Sequence, residues 1–219
     1  MSQRKKFDAR CDRCLMRREL CLCPLIPRLD LATRVVLIIS KRELRVPTNT
    51  GRLATLALGN STILRHGDQD HSYDVCDHLM PSAVSLLLYP APDAIVLSSE
   101  FARSLNGPCN LIVPDGNWRQ TIKMRRRDPY LATLPVVTLP PGAASGYRVR
   151  RESKAAGLAT IEAIARALGY LEGLQAQMAL EELFQAMVSR TLASRGTPLH
   201  GLPTKAVSTE GGHFGAPGV

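Results

Sequence analysis

Residues 34–40 read Arg-Val-Val-Leu-Ile-Ile-Ser, and the five apolar residues at their centre are consecutive rather than alternating. A strand with one wet face alternates apolar and polar side chains, so an unbroken run marks a strand buried on both faces, as in a parallel sheet covered by helices. Shorter apolar runs at 62–65, 85–89, 111–113 and 135–139 supply further strands. The pattern predicts an α/β fold, a parallel sheet flanked by helices, with its strands early and two helices late.

Asn49 and Thr50 are placed to cap a helix running to about Leu58 and closed by Gly59. Asn117 is placed to cap one over 118–127 that Asp128-Pro129 stops. Leu158, Ile161, Ala165 and Leu168 line one face of a helix ending at Gly169, and Leu171, Leu174, Met178, Phe184, Met187 and Leu192 are expected to line the buried face of the next. From 196 to 219 the chain holds 6 Gly and 3 Pro in 24 positions, the composition of a mobile tail.

No apolar run approaches the roughly 20 residues of a membrane span, and residues 1–6 are polar and basic, so a cytoplasmic protein is expected rather than a membrane or secreted one. The formal net charge of +9 is concentrated in two blocks: 1–52 hold 13 basic and 5 acidic side chains, and 119–154 hold 9 and 2. The remainder is mildly acidic. Two basic blocks suit a polyanion touching a localised face, against the plainer reading of a solvated Arg-rich surface.

Cys11-x2-Cys14-x6-Cys21-x-Cys23 places four thiols within 13 residues. Four thiolates close a tetrahedral shell around Zn²⁺, each short knuckle reaching the metal from a tight turn; a disulfide pair is the rival arrangement. Four protein ligands leave no open position, so the zinc is expected to be structural, and the interleaved Arg13, Arg17 and Arg18 are expected to face RNA. Cys76 and Cys109 read as small core residues.

Residues 111–118, Leu-Ile-Val-Pro-Asp-Gly-Asn-Trp, run from an apolar strand into a turn with a carboxylate, a glycine and the single Trp of the chain. Ligands bind at the carboxyl ends of parallel strands, so Asp115 is a candidate proton acceptor, Gly116 admits close backbone approach, and Trp118 offers a flat wall. Helix capping and a core Trp account for the same residues without chemistry.

The cysteine spacing, Asn49-Thr50-Gly51 after a strand, Leu88-Tyr89-Pro90, Asp115-Gly116-Asn117-Trp118 and Leu158-Ala159-Thr160-Ile161-Glu162-Ala163 follow one another in the order seen in DTW-domain proteins. The chain resembles the DTW family of tRNA-uridine aminocarboxypropyltransferases over about residues 11–192. It departs from the family pattern at Asn117, where the Asp-x-Thr-Trp element has Thr, at Ser40, where His is usual three residues before Glu43, and at Ala159, where Ser is common.

The resemblance implies a SPOUT-like domain with a C-terminal knot, organised as a zinc-binding segment over 1–32, a catalytic domain over 33–194 and a tail over 195–219. It implies S-adenosylmethionine as donor, bordered by Tyr89, Pro90, Pro114, Asp115, Gly116, Leu139, Thr160 and Glu162, and transfer of its 3-amino-3-carboxypropyl group to N3 of a tRNA uridine with release of methylthioadenosine. Asp115 is the expected base and Trp118 its catalytic neighbour. One of Arg148, Arg150 and Arg151 would pair with the donor carboxylate or with tRNA phosphate. Arg13, Arg17, Arg18, Lys123, Arg125, Arg126 and Arg127 are the expected tRNA contacts, and a monomer is slightly favoured over an oligomer. The alternatives are a SPOUT-like RNA methyltransferase and a non-catalytic zinc-containing RNA-binding protein.

Overall fold

A computed structural model describes residues 9–67, 74–116, 118–147, 149 and 157–195. Six strands form one sheet: β1 (Arg34–Ser40), β2 (Ser61–His66), β3 (Val84–Leu88), β4 (Ile95–Val96), β5 (Cys109–Asp115) and β6 (Val136–Thr138), in the order β2-β1-β5-β3-β6-β4. Every pairing is parallel. The unbroken apolar run behaves as its composition requires, since Val35 to Ile39 are all fully buried and Val35 to Ile38 alternate between two cores. Val35, Leu37, Leu111 and Val113 face one helical layer, and Val36, Ile38 and Ile112 face the other.

The first layer contains α2 (Thr50–Ala57), α3 (Ser99–Ser104), α6 (Thr160–Leu171) and α7 (Leu174–Ala193); the second contains α4 (Trp118–Arg127) and α5 (Pro129–Thr133). A single turn, α1 (Lys41–Leu44), follows β1 directly, and Ser40 caps it by accepting the Glu43 N–H at 3.3 Å. That is a local reason for Ser at the position where the family pattern has His. Asn49 caps α2 as expected, its Oδ1 accepting from the Arg52 N–H at 2.8 Å.

Asp128-Pro129 ends α4 but also opens α5, because Asp128 accepts from the Tyr130 and Leu131 N–H groups while Pro129 supplies a preset φ. The breaker signal therefore hid a second helix. The two-residue β4 and the six-residue α3 are too short to show a period. The expected face of α7 needs correction: Leu174 and Met178 are 63% and 51% exposed, and the buried stripe is Ala176, Leu180, Leu183, Phe184, Met187, Val188 and Thr191. The phase is set by the tight turn at Glu172-Gly173, where Gly173 has φ 109° and both N–H groups return to the Leu168 carbonyl. Cys109 is buried as expected, whereas Cys76 lies exposed on a 3-10 turn.

Helix α6 starts with half of a capping box. The Glu162 carboxylate accepts the Ala159 N–H at 2.8 Å, but Ala159 has no acceptor to return to the helix. Ala159→Ser supplies the missing acceptor and is expected to stabilise the fold by about 1 kcal/mol, read as a rise in thermal midpoint.

The cysteine segment is packed onto this body. Cys14, Met16 and Leu22 belong to the same buried cluster as α2 and α7, and the Arg190 guanidinium donates to the Cys21 carbonyl. Among the described residues no helix is long and apolar enough to cross a membrane. The expected tail at 196–219 lies outside the described residues.

Candidate active site and metal centre

Cys11 and Cys14 flank a tight turn closed by Leu15 N–H to Cys11 carbonyl at 2.8 Å, with Leu15 at φ 60°. Cys21 and Cys23 arrive from two short 3-10 turns. The Sγ atoms of Cys11 and Cys23 lie 3.6 Å apart and those of Cys14 and Cys21 3.7 Å apart, and all four ligand atoms fall within 4.8 Å of one another. Zinc–sulfur bonds of about 2.3 Å give tetrahedral edges of about 3.8 Å, so the cluster fits one such ion. All four are free thiols. Backbone N–H groups of Cys14 and Arg13 bring the Cys11 thiol down to about 6, while burial and the neighbouring Cys11 push Cys23 up to about 12. One thiolate forms readily and opposes the next, a conflict that a bound cation relieves.

Asp115 closes β5 and is 6% exposed. Its Oδ2 accepts from Asn49 Nδ2 at 2.7 Å, and its Oδ1 accepts from Thr160 Oγ1 at 2.5 Å. A Cβ on Gly51 would stand 2.9 Å from Asp115 Oδ2 and 3.0 Å from Leu37 Cδ1, so only glycine lets the first turn of α2 sit against the carboxylate. Thr50 Oγ1 accepts from the Ile161 N–H at 3.4 Å. The end of β5 and the starts of α2 and α6 thus meet in one buried polar junction. Asn49 has a part in it beyond capping that helix-signal reasoning missed; the sequence clue was the Asn-Thr-Gly turn that follows β1 after the single turn α1.

Glu162 is buried and accepts three hydrogen bonds, from Ser145 Oγ at 2.5 Å, Gly146 N–H at 2.8 Å and Ala159 N–H at 2.8 Å. It clamps the segment after β6 to the start of α6. Further along that segment the Tyr147 hydroxyl donates to the Thr48 carbonyl at 2.7 Å, and its ring lies 5.7 Å from that of Phe184.

The three stretches expected to border a donor lie side by side. Tyr89-Pro90 follow β3, Pro114 to Gly116 end β5, and Leu139 follows β6, and these strands are neighbours in the order β5-β3-β6. The structure divides their side chains between faces, however: Asp115 meets α2 and α6, whereas Tyr89 packs with the α4 and α5 cluster. Arg125 lies over the Tyr89 ring at 5.8 Å, and a cavity of about 360 Å³ is lined by Tyr89, Ile122, Arg125, Arg126 and Ala132. Asn117, the side chain of Trp118, Arg148, Arg150 and Arg151 lie outside the described residues.

Helix α4 carries Arg119, Lys123, Arg125, Arg126 and Arg127 with no acidic residue, and all but Arg125 are exposed. Arg13, Arg17 and Arg18 are exposed on the cysteine segment, where Arg17 pairs with Glu19 at 3.5 Å and Arg18 with Asp12 at 3.8 Å. Exposed pairs of this kind are weak and leave the arginines available to a stronger anion.

These features define an α/β domain in which a central parallel strand delivers a buried, hydrogen-bonded carboxylate and a four-thiol cluster is packed onto the same core. The chain belongs to the DTW-domain family, whose model matches residues 8–192. It is similar to tRNA-uridine aminocarboxypropyltransferase 2 of Drosophila melanogaster, at 26% identity over 169 residues that cover 74% of this chain and 66% of that protein. It is similar to the protein of the same name from Macaca fascicularis, at 26% identity over 168 residues, 74% of this chain and 56% of the relative. The chain therefore spans roughly half to two thirds of the length of these relatives. No solved structure matches it.

Proposed function

We propose that this chain transfers the 3-amino-3-carboxypropyl group of S-adenosylmethionine to N3 of a tRNA uridine. The assignment rests on one observation above all: within the DTW match, the stretches expected to hold the donor end on the adjacent strands β5, β3 and β6. The names of the two relatives agree with it. At that edge the Tyr89 ring, with Arg125 over it, borders a cavity of about 360 Å³ on the α4 and α5 side of the sheet, while the Asp115 carboxylate lies on the α2 and α6 side.

When bound, the donor supplies a sulfonium-activated carbon that uridine N3 attacks as methylthioadenosine leaves. The protein's part is mainly positioning and one proton transfer. Asp115 takes the N3 proton. Asn49 and Thr160 each engage one of its oxygens and fix its plane. Pro114, Gly116, Leu139 and Pro90 shape the edge, Trp118 opens the helix beside it, and Glu162 serves the donor site through the 143–147 segment that it clamps. A SPOUT-like knot belongs to the same proposal, supported by Tyr147 reaching the Thr48 carbonyl before the chain enters α6. Zinc at the four cysteines is structural, with every ligand position filled by protein.

The acceptor is tRNA, held by α4 and by the arginines of the cysteine segment. With four exposed basic residues on α4 and three on the cysteine segment, the log-log salt dependence of tRNA affinity is expected to have a slope of about −6, from roughly −0.9 per duplex phosphate neutralised. Replacing Arg126 and Arg127 with Gln reduces that slope by about 2. A flat salt response contradicts the assignment of α4.

Mass spectrometry of tRNA nucleosides after incubation with the protein and S-adenosylmethionine tests the function. Aminocarboxypropyluridine with methylthioadenosine supports it. S-adenosylhomocysteine as product points to a methyltransferase, and absence of donor binding to a non-catalytic RNA-binding protein.

A further inference from the structure

Arg52 occupies the third position of α2, where a cation faces the positive end of the helix dipole, and it is only 7% exposed. Among the described residues no carboxylate forms an ion pair with it. Its guanidinium instead crosses to the cysteine segment, Nη1 donating to the Arg13 carbonyl and Nη2 to the Cys14 carbonyl, both at 2.8 Å, while Nε is buried without an acceptor. A buried arginine with an orphan donor at a helix start is costly and persists only where the surroundings require it. Four thiolates around one divalent ion carry a net charge of −2, which supplies the missing counter-charge beside it.

The other end of Arg52 reaches Asp115. Its backbone N–H donates to Asn49 Oδ1 at 2.8 Å, and that bond orients the Asn49 amide so that Nδ2 points at Asp115 Oδ2. A flipped amide loses both bonds. The two carbonyls that hold the guanidinium lie in the Cys11–Cys14 turn, whose shape the metal fixes. We propose that Arg52 is a positioning residue that couples the metal-bound cysteine cluster to Asp115, through the first turn of α2 and the Asn49 amide. The link to catalysis rests on the function proposed above; the physical coupling does not.

The test uses the full zinc-loaded chain, the variants Arg52→Met and Arg52→Lys, and zinc removal by a chelator. Amide hydrogen exchange in residues 49–54 is expected to accelerate about tenfold or more when zinc is removed from the parent, and by more than at Leu64 and Ile112 in the cluster on the other side of the sheet. In Arg52→Met the exchange is already fast and zinc removal adds nothing. Turnover is expected to fall about 10- to 100-fold in Arg52→Met with KM for the donor nearly unchanged, to recover in part in Arg52→Lys, and to show the same non-additivity with zinc removal. Exchange in 49–54 that ignores zinc, additive effects of the two changes, or a parent that binds no zinc overturns the proposal. Should Arg52→Met not fold, the parent and Arg52→Lys decide by the same exchange measurement. A chain without transferase activity still gives the exchange result, so failure of the functional assignment and failure of the coupling are separable.

Discussion

Asp115→Asn is expected to slow single-turnover transfer by about 10² to 10⁴ while tRNA affinity stays within a few-fold of the parent, the loss typical of a removed general base. The substitution suits this purpose because of the junction around it. An asparagine at 115 can accept from Asn49 Nδ2 through its oxygen and donate to Thr160 Oγ1 through its amide, so the contacts joining β5, α2 and α6 survive. Asp115→Ala serves as the structural control: it leaves the Asn49 Nδ2 donor buried without a partner, at a cost of about 1–3 kcal/mol. If Asp115 only ties the three elements together, Asp115→Asn is nearly silent and Asp115→Ala alone is damaging. A transfer rate for Asp115→Asn close to the parent's removes Asp115 from the chemistry.

Much of this architecture was legible because its signals are local and strong. The run at 34–40 can be satisfied only by burial on both faces, and the parallel sheet follows from that. Asn49 marks the start of α2 by side-chain chemistry alone, and Gly59 stands just past its end, where a Cβ would meet Asp30 Oδ1 at 2.5 Å. What stayed hidden depends on packing. Leu174 and Met178 are apolar but exposed, and their stripe continues through Glu181, Glu182 and Gln185, whereas the stripe through Leu180 stays apolar over Leu183, Phe184, Met187 and Val188 and is the one that packs. The order β5-β3-β6 arises from crossovers that no single segment encodes.

The site shows the same division. The four cysteines and Asp115 stand out by residue type and spacing, but their partners do not. Asn49 reads as an ordinary cap until β5 brings a carboxylate to its free amide. Nothing beside Glu162 in the sequence announces its three bonds to Ser145, Gly146 and Ala159, which hold a loop to the start of α6. Arg52 carries no sequence signal, because an arginine early in a helix is normally exposed and its burial requires the folded cysteine segment above it.

The cysteine segment is also where the other large effect is expected. Cys21→Ser leaves three thiols around the metal position and is expected to lower zinc content well below one ion per chain, with tRNA affinity falling about tenfold alongside it. The two losses are linked by geometry. Arg13, Arg17 and Arg18 have fixed positions only while the turns at Cys11–Cys14 and Cys21–Cys23 are held together. Loss of the metal returns them to a flexible chain, and binding then carries the entropy of ordering it. Stability falls as well, because Cys14, Met16 and Leu22 are part of the main core and Arg190 anchors at the Cys21 carbonyl. Cys76→Ser, at an exposed thiol outside the cluster, is the control and is expected to stay within about 0.5 kcal/mol of the parent. Elemental analysis, thermal unfolding and tRNA titration of the two variants separate the outcomes. Zinc-free Cys21→Ser with parental tRNA affinity places the RNA contact on α4 alone, and full zinc occupancy in that variant removes Cys21 from the ligand set.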